Sequence, residues 1–172
     1  MKISHVIRGE DHISNTPKQI LLQAALGFKQ PEYAHLPLIL NPDRSKLSSR
    51  FTEVSLIGYR EDRYLPEAVM NFLALLGWHP KEDREVLTKK DLIEEFDLKR
   101  AQKAGAVFNP EKLDWLQKEH IKVLGTDEIA DRLEPILEKF GTKTTKAFLK
   151  KVLDVEGQRL KTLNDLPEIA GF

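Results

Sequence analysis

The chain is expected to open as an α/β unit and then turn mostly α-helical, on three observations. The first fifty residues run strand, helix, strand; a cation-bearing polar loop follows the second strand; and helical periodicity governs what comes after. The loop, Asn41-Pro42-Asp43-Arg44-Ser45-Lys46-Leu47-Ser48-Ser49-Arg50, lies directly behind the apolar run 36–40. Open α/β sheets place their ligands at the carboxyl ends of their strands, and Asn-Pro favours a turn there. Arg44, Lys46 and Arg50, with hydroxyls between them, suit a polyanion that must be gripped and released, such as a nucleotide triphosphate. Taken alone, such a loop is as readily a solvated turn whose charges serve solubility.

Residues 3–7 form a short β-branched run, and a polar loop spans residues 8–15. Thr16-Pro17 reads as an N-cap with proline at the first helical position. Ile20, Leu21, Ala24 and Ala25 recur at helical spacing, and Gly27 can close that helix. Residues 34–40 make a second apolar strand, with Pro37 marking a bend or an edge. A strand, a crossover helix and a strand in so short a span imply a right-handed parallel pair. Parallel strands end on the same rim, so the Arg8-Gly9-Glu10-Asp11-His12 loop and the 44–50 loop should face one crevice. Two strands do not make a twisted sheet, so the chain reads as starting in the middle of a nucleotide-binding fold.

Past residue 50 the texture is helical. Residues 55–62 form a short helix with apolar Leu56, Ile57 and Tyr59; Pro66 opens a stronger one with Ala68, Val69, Phe72, Leu73, Leu75 and Leu76 core-like and Gly77 as its stop. Thr88 with Asp91 resembles a capping box for a helix burying Leu92, Ile93 and Phe96. Residues 106–108 suit a short strand, and Asn109-Pro110 starts a helix through Leu113, Trp115 and Leu116. Ile129, Leu133, Ile136, Leu137 and Phe140 continue the pattern from Thr126, with Pro135 as a kink. Residues 144–153 form a further amphipathic helix, and Asn164 caps the last. Trp78 and Trp115 sit at helix ends as core anchors.

Lys+Arg and Asp+Glu balance at 27 each, so nucleic-acid binding would have to come from local patches. The basic run Lys143, Lys146, Lys150, Lys151 and Arg159 is one, though solvated helix faces look the same. No cysteine is present, which removes disulfide and thiolate chemistry and fits a reducing cytoplasm. No apolar run approaches the roughly 20 residues that span a bilayer.

Taken in order, Ser4 to His12, Asn15-Thr16-Pro17, the His35-Leu36-Pro37-Leu38 strand, Lys46-Leu47-Ser48-Ser49-Arg50, Leu65-Pro66-Glu67-Ala68, Phe108-Asn109-Pro110-Glu111-Lys112-Leu113 and Leu163-Asn164-Asp165-Leu166-Pro167 resemble a bacterial-type glutamyl-tRNA synthetase. The resemblance implies the C-terminal half of a class I Rossmann-like catalytic domain over residues 1–50, a helical stem-contact region over 51–120, and the start of a helical anticodon-binding domain over 121–172. It implies Arg8 on the glutamate substrate; Glu10, Asp11, Leu38, Ile39, Lys46 and Leu47 on ATP; and Lys46, Ser48 and Arg50 as the catalytic loop, the variant here of the KMSKS signature. Such a loop stabilises the charge that develops as the amino-acid carboxylate attacks the α-phosphate and pyrophosphate departs. ATP with Mg2+ as its companion, glutamate and tRNA(Glu), with tRNA(Gln) as a second candidate, are the implied cofactor and partners. No resident metal, no membrane, a cytoplasmic location and a monomeric full-length enzyme are expected, with Lys143, Lys146 and Lys150 as tRNA contacts.

Two departures qualify this. Ser49 stands where the family places its second signature lysine, and no HIGH-type motif occurs in the chain. The expectation is therefore a piece of a glutamate–tRNA ligase, inactive without a missing N-terminal catalytic half. A non-catalytic, synthetase-like module that binds tRNA or a partner is the alternative.

Overall fold

In a computed structural model, the structure describes residues 2–47, 55–139, 141–142 and 144–169. Strand β1 (His5–Gly9) and β2 (Glu32–Leu36) pair in parallel, with Arg8 opposite His35, and helix α1 (Thr16–Ala25) crosses between them. The parallel pair and Gly27, at φ 69°, agree with expectation. The expected single strand over 34–40 does not. Pro37, which lacks an N–H, ends β2, and β3 (Ile39–Leu40) pairs instead with β4 (Ala106–Val107). Gly105 permits that approach, because a Cβ there would come within 2.8 Å of the Leu40 side chain and 3.0 Å of the Leu38 carbonyl. The residues before α1 form a 3-10 turn, Glu10–Asn15. Asn15 occupies the N-cap position without a side-chain bond to the helix, and Thr16 is the first helical residue.

The βαβ unit has no apolar core of its own. Leu21 is 71% exposed, Leu22 61%, Phe28 64% and Ile7 47%, whereas, Pro31 aside, every buried apolar residue described lies at or beyond Leu65. Two strands and one helix cannot enclose a core, so their apolar faces stay bare.

The helical remainder packs well. Helices α2 (Leu56–Glu61), α3 (Pro66–Gly77) and α4 (Lys89–Glu95) precede a long α5 (Pro110–Lys139), and α6 (Lys146–Glu156) and α7 (Leu166–Ile169) follow. Ser55 caps α2, and Thr88 with Asp91 forms the expected capping box on α4. The interruption in α5 falls at Gly125, at φ 77° and ψ 165°, while Pro135 sits inside the helix past that break. One core joins Leu65 and Ala68 to Ile129, Leu133, Leu137, Leu149, Leu153 and Leu160; a second joins Val69, Phe72 and Leu76 to Phe108, Leu113 and Leu116. Several expected core residues are instead exposed: Leu73, Ile93, Phe96 and Trp115 lie on the outer faces of α3, α4, the end of α4 and α5. Trp78 is buried as expected. The final cap is Thr162 with Asp165, and Asn164 instead donates to the Glu61 carbonyl at 3.0 Å. Phe140 lies outside the described residues. No described helix is long and apolar enough to cross a membrane.

Candidate functional site

Arg8 sits at the carboxyl end of β1, half-buried, with its guanidinium 5.2 Å from the Tyr33 ring centroid. Its Nη2 donates to Thr16 Oγ1 at 2.8 Å. Thr16 Oγ1 lies 2.9 Å from His35 Nε2 and 3.1 Å from the His12 carbonyl. A threonine hydroxyl has one proton and two lone pairs. If that proton goes to the His12 carbonyl, both lone pairs accept, one from Arg8 and one from a protonated His35 Nε2. His35 Nε2 then cannot also accept from Arg8 Nε, and the 3.5 Å between them is a contact rather than a bond. Thr16 thus fixes the Arg8 fork from one side and leaves Nη1 uncommitted among the described residues. A preset guanidinium with free donors suits a carboxylate.

Glu10 and Asp11 open the 3-10 turn directly behind Arg8. Glu10 Oε1 accepts from the Leu38 N–H at 3.1 Å, so it holds the chain at the break between β2 and β3. Leu38 is half-buried and Ile39 is 36% exposed, so neither side chain belongs to a core. Asp11 accepts from Lys46 Nζ at 2.8 Å, across 35 residues of sequence. That bond, opposed by slight desolvation, holds the Asp11 carboxyl below its ordinary value.

The basic loop is built by its own polar side chains. Asn41 N–H donates to the Ser45 carbonyl at 2.8 Å and its Nδ2 to Ser45 Oγ at 2.9 Å. Asp43 accepts from the Ser45 hydroxyl at 2.6 Å and from its N–H at 2.9 Å, and these bonds hold its carboxyl low. Arg44 adopts φ 66°. Leu40 and Lys46 bridge antiparallel, and Leu47 donates its N–H to the Ile39 carbonyl at 2.9 Å while its side chain packs on the second core. The turn therefore folds back on β3 and presents Lys46 toward Asp11. Ser48, Ser49 and Arg50 lie outside the described residues.

Arg8, Glu10, Asp11, Leu38, Ile39, Lys46 and Leu47 thus gather on one rim, linked by the Glu10–Leu38 and Lys46–Asp11 bonds. Thr16, Tyr33 and His35 belong to the same cluster, although sequence reasoning gave them no role there. Thr16 was visible only as a helix start, and the i, i+2 spacing of Tyr33 and His35 puts both on the Arg8 face of β2. The described residues contain no group of three or more His, Cys, Asp or Glu that could hold a metal. Asp11 has a bond to Lys46 through one oxygen only, and with no such group of ligands around it the described residues do not make a site for a resident Mg2+.

The expected RNA lysines stand elsewhere. Lys146 lies 2.5 Å from Asp131, and Lys150 lies 2.9 Å from Asp127; both are neutralised within the chain. Lys143 lies outside the described residues.

The family description of class I tRNA synthetases (E and Q), catalytic domain, matches residues 1–115. A glutamate–tRNA ligase of Aquifex aeolicus is 52% identical over 169 residues, which are 96% of this chain and 36% of that protein. One from a Sulfurihydrogenibium species is 46% identical over 99% of this chain and 36% of its own length. A solved glutamate tRNA ligase of Elizabethkingia meningosepticum, in complex with its amino acid, superposes with TM-score 0.88 at 33% identity, over 99% of this chain and 38% of that one. The chain thus spans a little over a third of the length of the relatives it matches.

Proposed function

The chain belongs to the class I tRNA synthetases of the E and Q type, and from that premise we propose that it supplies one wall of the active site of a glutamate–tRNA ligase. The observation that carries this reading is the Lys46–Asp11 bond, which joins the turn behind β1 to the basic turn behind β3, beside Arg8. In the proposed reaction a glutamate carboxylate oxygen attacks the α-phosphorus of ATP, the bond to the bridging oxygen breaks, and pyrophosphate leaves. A ribose hydroxyl at the 3′ end of tRNA(Glu), or of tRNA(Gln), then attacks the acyl carbon of the glutamyl-adenylate, the bond to the phosphate oxygen breaks, and AMP leaves.

Arg8, oriented by Thr16, binds the glutamate. Lys46 exchanges Asp11 for phosphate oxygens as negative charge moves onto pyrophosphate, an interaction strongest where that charge develops. The backbone at Leu38 and Ile39 would carry the adenine, held in place by Glu10, and Ser48 and Arg50 would complete the loop. Mg2+ would arrive with the triphosphate, which supplies most of its ligands, and no step here runs through it. We assign residues 1–50 to the catalytic domain, 51–120 to the stem-contact region and 121–172 to the anticodon-binding domain. The bare apolar faces around Ile7, Leu21 and Leu22 are the seat for the HIGH-bearing half.

The test mixes this chain with a HIGH-bearing N-terminal half of a relative and measures glutamate-dependent ATP–pyrophosphate exchange. Exchange in the mixture and in neither part alone is expected. Its absence from a mixture that demonstrably associates would sink the catalytic reading. The second reading, a binding module, is favoured by Ser49 in place of lysine; it predicts tRNA binding without exchange.

A further inference from the structure

The guanidinium of Arg8 turns one particular edge toward the protein. Its Nη2 donates to Thr16 Oγ1 at 2.8 Å, and its Nε stands 3.5 Å from His35 Nε2. Thr16 Oγ1 and His35 Nε2 are themselves 2.9 Å apart. The Nε–Nη2 edge therefore lies against the Thr16–His35 pair, and the Nη1–Nη2 end faces away from it. A planar guanidinium offers parallel N–H pairs at both places, so the edge held inward decides which one a ligand meets.

His35 is the part of this arrangement that belongs to β2. It stands directly opposite Arg8 in the β1–β2 register. Besides Arg8, the Thr16 hydroxyl meets the His12 carbonyl at 3.1 Å and His35 Nε2. His12 lies in the 3-10 turn that leads into α1, so only His35 ties the hydroxyl to the strand. The ring itself has little freedom. It stacks on Tyr33, two residues earlier, with centroids 6.5 Å apart and planes 6° from parallel. Tyr33 in turn lies 5.2 Å from the Arg8 guanidinium carbon and donates its hydroxyl to Gln23 Oε1 on α1 at 3.3 Å. Without the imidazole, Thr16 could still accept from Arg8, but its hydroxyl would be free to turn.

On the reading of this rim as one wall of a glutamate–tRNA ligase site, we propose that His35 is a positioning residue for the amino acid. Through Thr16 it holds the Nε–Nη2 edge of Arg8 inward and leaves the Nη1–Nη2 end for a carboxylate of glutamate. A carboxylate takes two parallel bonds from such an end, and an arginine already set in place loses less freedom on binding. The groups assigned to ATP are held by separate bonds, Glu10 to Leu38 and Asp11 to Lys46. The two substrates should therefore respond differently to loss of the imidazole.

The test compares His35→Leu, which removes the ring nitrogen, with His35→Gln, which restores a donor and an acceptor, and with Thr16→Val. Each is measured by pyrophosphate exchange in the complex with a HIGH-bearing half. His35→Leu should raise the KM for glutamate about 3- to 10-fold, and Thr16→Val, which removes a bond to a charged group, about 10-fold or more. The KM for ATP should change by less than about twofold, since no bond to the ATP groups is lost. His35→Gln should recover most of the loss, and adding His35→Leu to Thr16→Val should cost nothing further, because the histidine acts through the threonine. NMR of the full chain alone reads the positioning without catalysis. The Arg8 Nε–H resonance should be sharp in the unaltered chain and in His35→Gln, and broadened by exchange with water in His35→Leu. A KM for ATP that rises alongside that for glutamate, a His35→Gln no better than His35→Leu, or an unchanged KM for glutamate in His35→Leu overturns the proposal. Exchange activity with an Arg8 resonance indifferent to His35 overturns the positioning and leaves the ligase reading standing. No exchange by the unaltered chain in an associated complex overturns both.

Discussion

His120 makes the helical core sensitive to pH, and the direction follows from its surroundings. The ring is 2% exposed on α5, and its Nε2 lies 2.9 Å from Asn71 Oδ1 on α3. Asn71 Oδ1 also accepts the Leu87 N–H at 2.8 Å, so His120 must donate through Nε2 and leave Nδ1 unprotonated. Burial pushes its pKa below the ordinary 6.5, and the Glu67 carboxylate, itself bonded to Arg132, only partly offsets this. The unfolded chain therefore binds this proton more readily than the folded one. Stability is whole above pH 6.5 and falls as pH drops below it, by up to about 1.4 kcal/mol per unit, until the folded ring titrates.

From pH 7 to 5.5 the loss approaches about 1.2 kcal/mol if the folded ring stays neutral. The window is separable from other groups. Asp11, Asp43, Asp91, Asp127 and Glu67 are held low, so their contributions fade only as pH falls through their ordinary 3.8 to 4.5 and below. Tyr59 and Tyr64, raised from 10.0 chiefly by burial, act only in strong base. Urea unfolding followed by tryptophan fluorescence at pH 7 and 5.5 measures the loss. His120→Gln keeps a donor toward Asn71 but cannot titrate, and it should flatten the profile. The same loss in His120→Gln would refute the reasoning.

Three further outcomes are expected. Asn71→Ala strands two buried donors, on Leu87 and His120, at about 1 to 3 kcal/mol each; it also removes Asn71 Nδ2, which has no partner. A net loss of about 2 to 4 kcal/mol in urea unfolding should result. Lys46→Met, in the reconstituted enzyme, should slow pyrophosphate exchange about 100- to 1,000-fold with little change in the KM for glutamate; an equal effect on KM would place Lys46 in ground-state binding. Arg132→Lys gives up the two-pronged contact between α5 and α3 at a cost of about 1 kcal/mol, read as a lower thermal midpoint that high salt narrows.

Local signals in the sequence located the βαβ unit and most helix boundaries, because caps and glycine stops act within a turn. Thr88 with Asp91, Ser55 and Gly27 all perform as their residue types dictate. What sequence could not supply was partnership over distance. The split at Pro37 depended on β4, some 65 residues later, and on Gly105 giving Leu40 room. The outward faces of Ile93, Phe96 and Trp115 followed from which side of each helix met a neighbour, which periodicity alone does not fix. Lys146 and Lys150 read as a basic run because Asp127 and Asp131, which neutralise them, lie on a different helix. The Arg8 support failed to register for a similar reason: Thr16 also satisfied a simpler role as a helix start.

The strength of the Lys46–Asp11 bond bears directly on how such a loop can work. Both side chains are well exposed, at 58% and 39%, so water screens the pair and its net stabilisation is small. A buried version would hold Lys46 more firmly, but a phosphate would then have to break a desolvated ion pair before it could use the cation. The exposed pair keeps Lys46 near the crevice without committing it. Asn41, Asp43 and Ser45 supply the rigidity instead, through bonds internal to the turn that do not involve the lysine side chain. Positioning and charge delivery are thereby carried by different residues. Disrupting the turn with Asp43→Ala should weaken the placement of Lys46, whereas Asp11→Asn should release it; the two would affect pyrophosphate exchange in different degree although they change neighbouring parts of one loop contact.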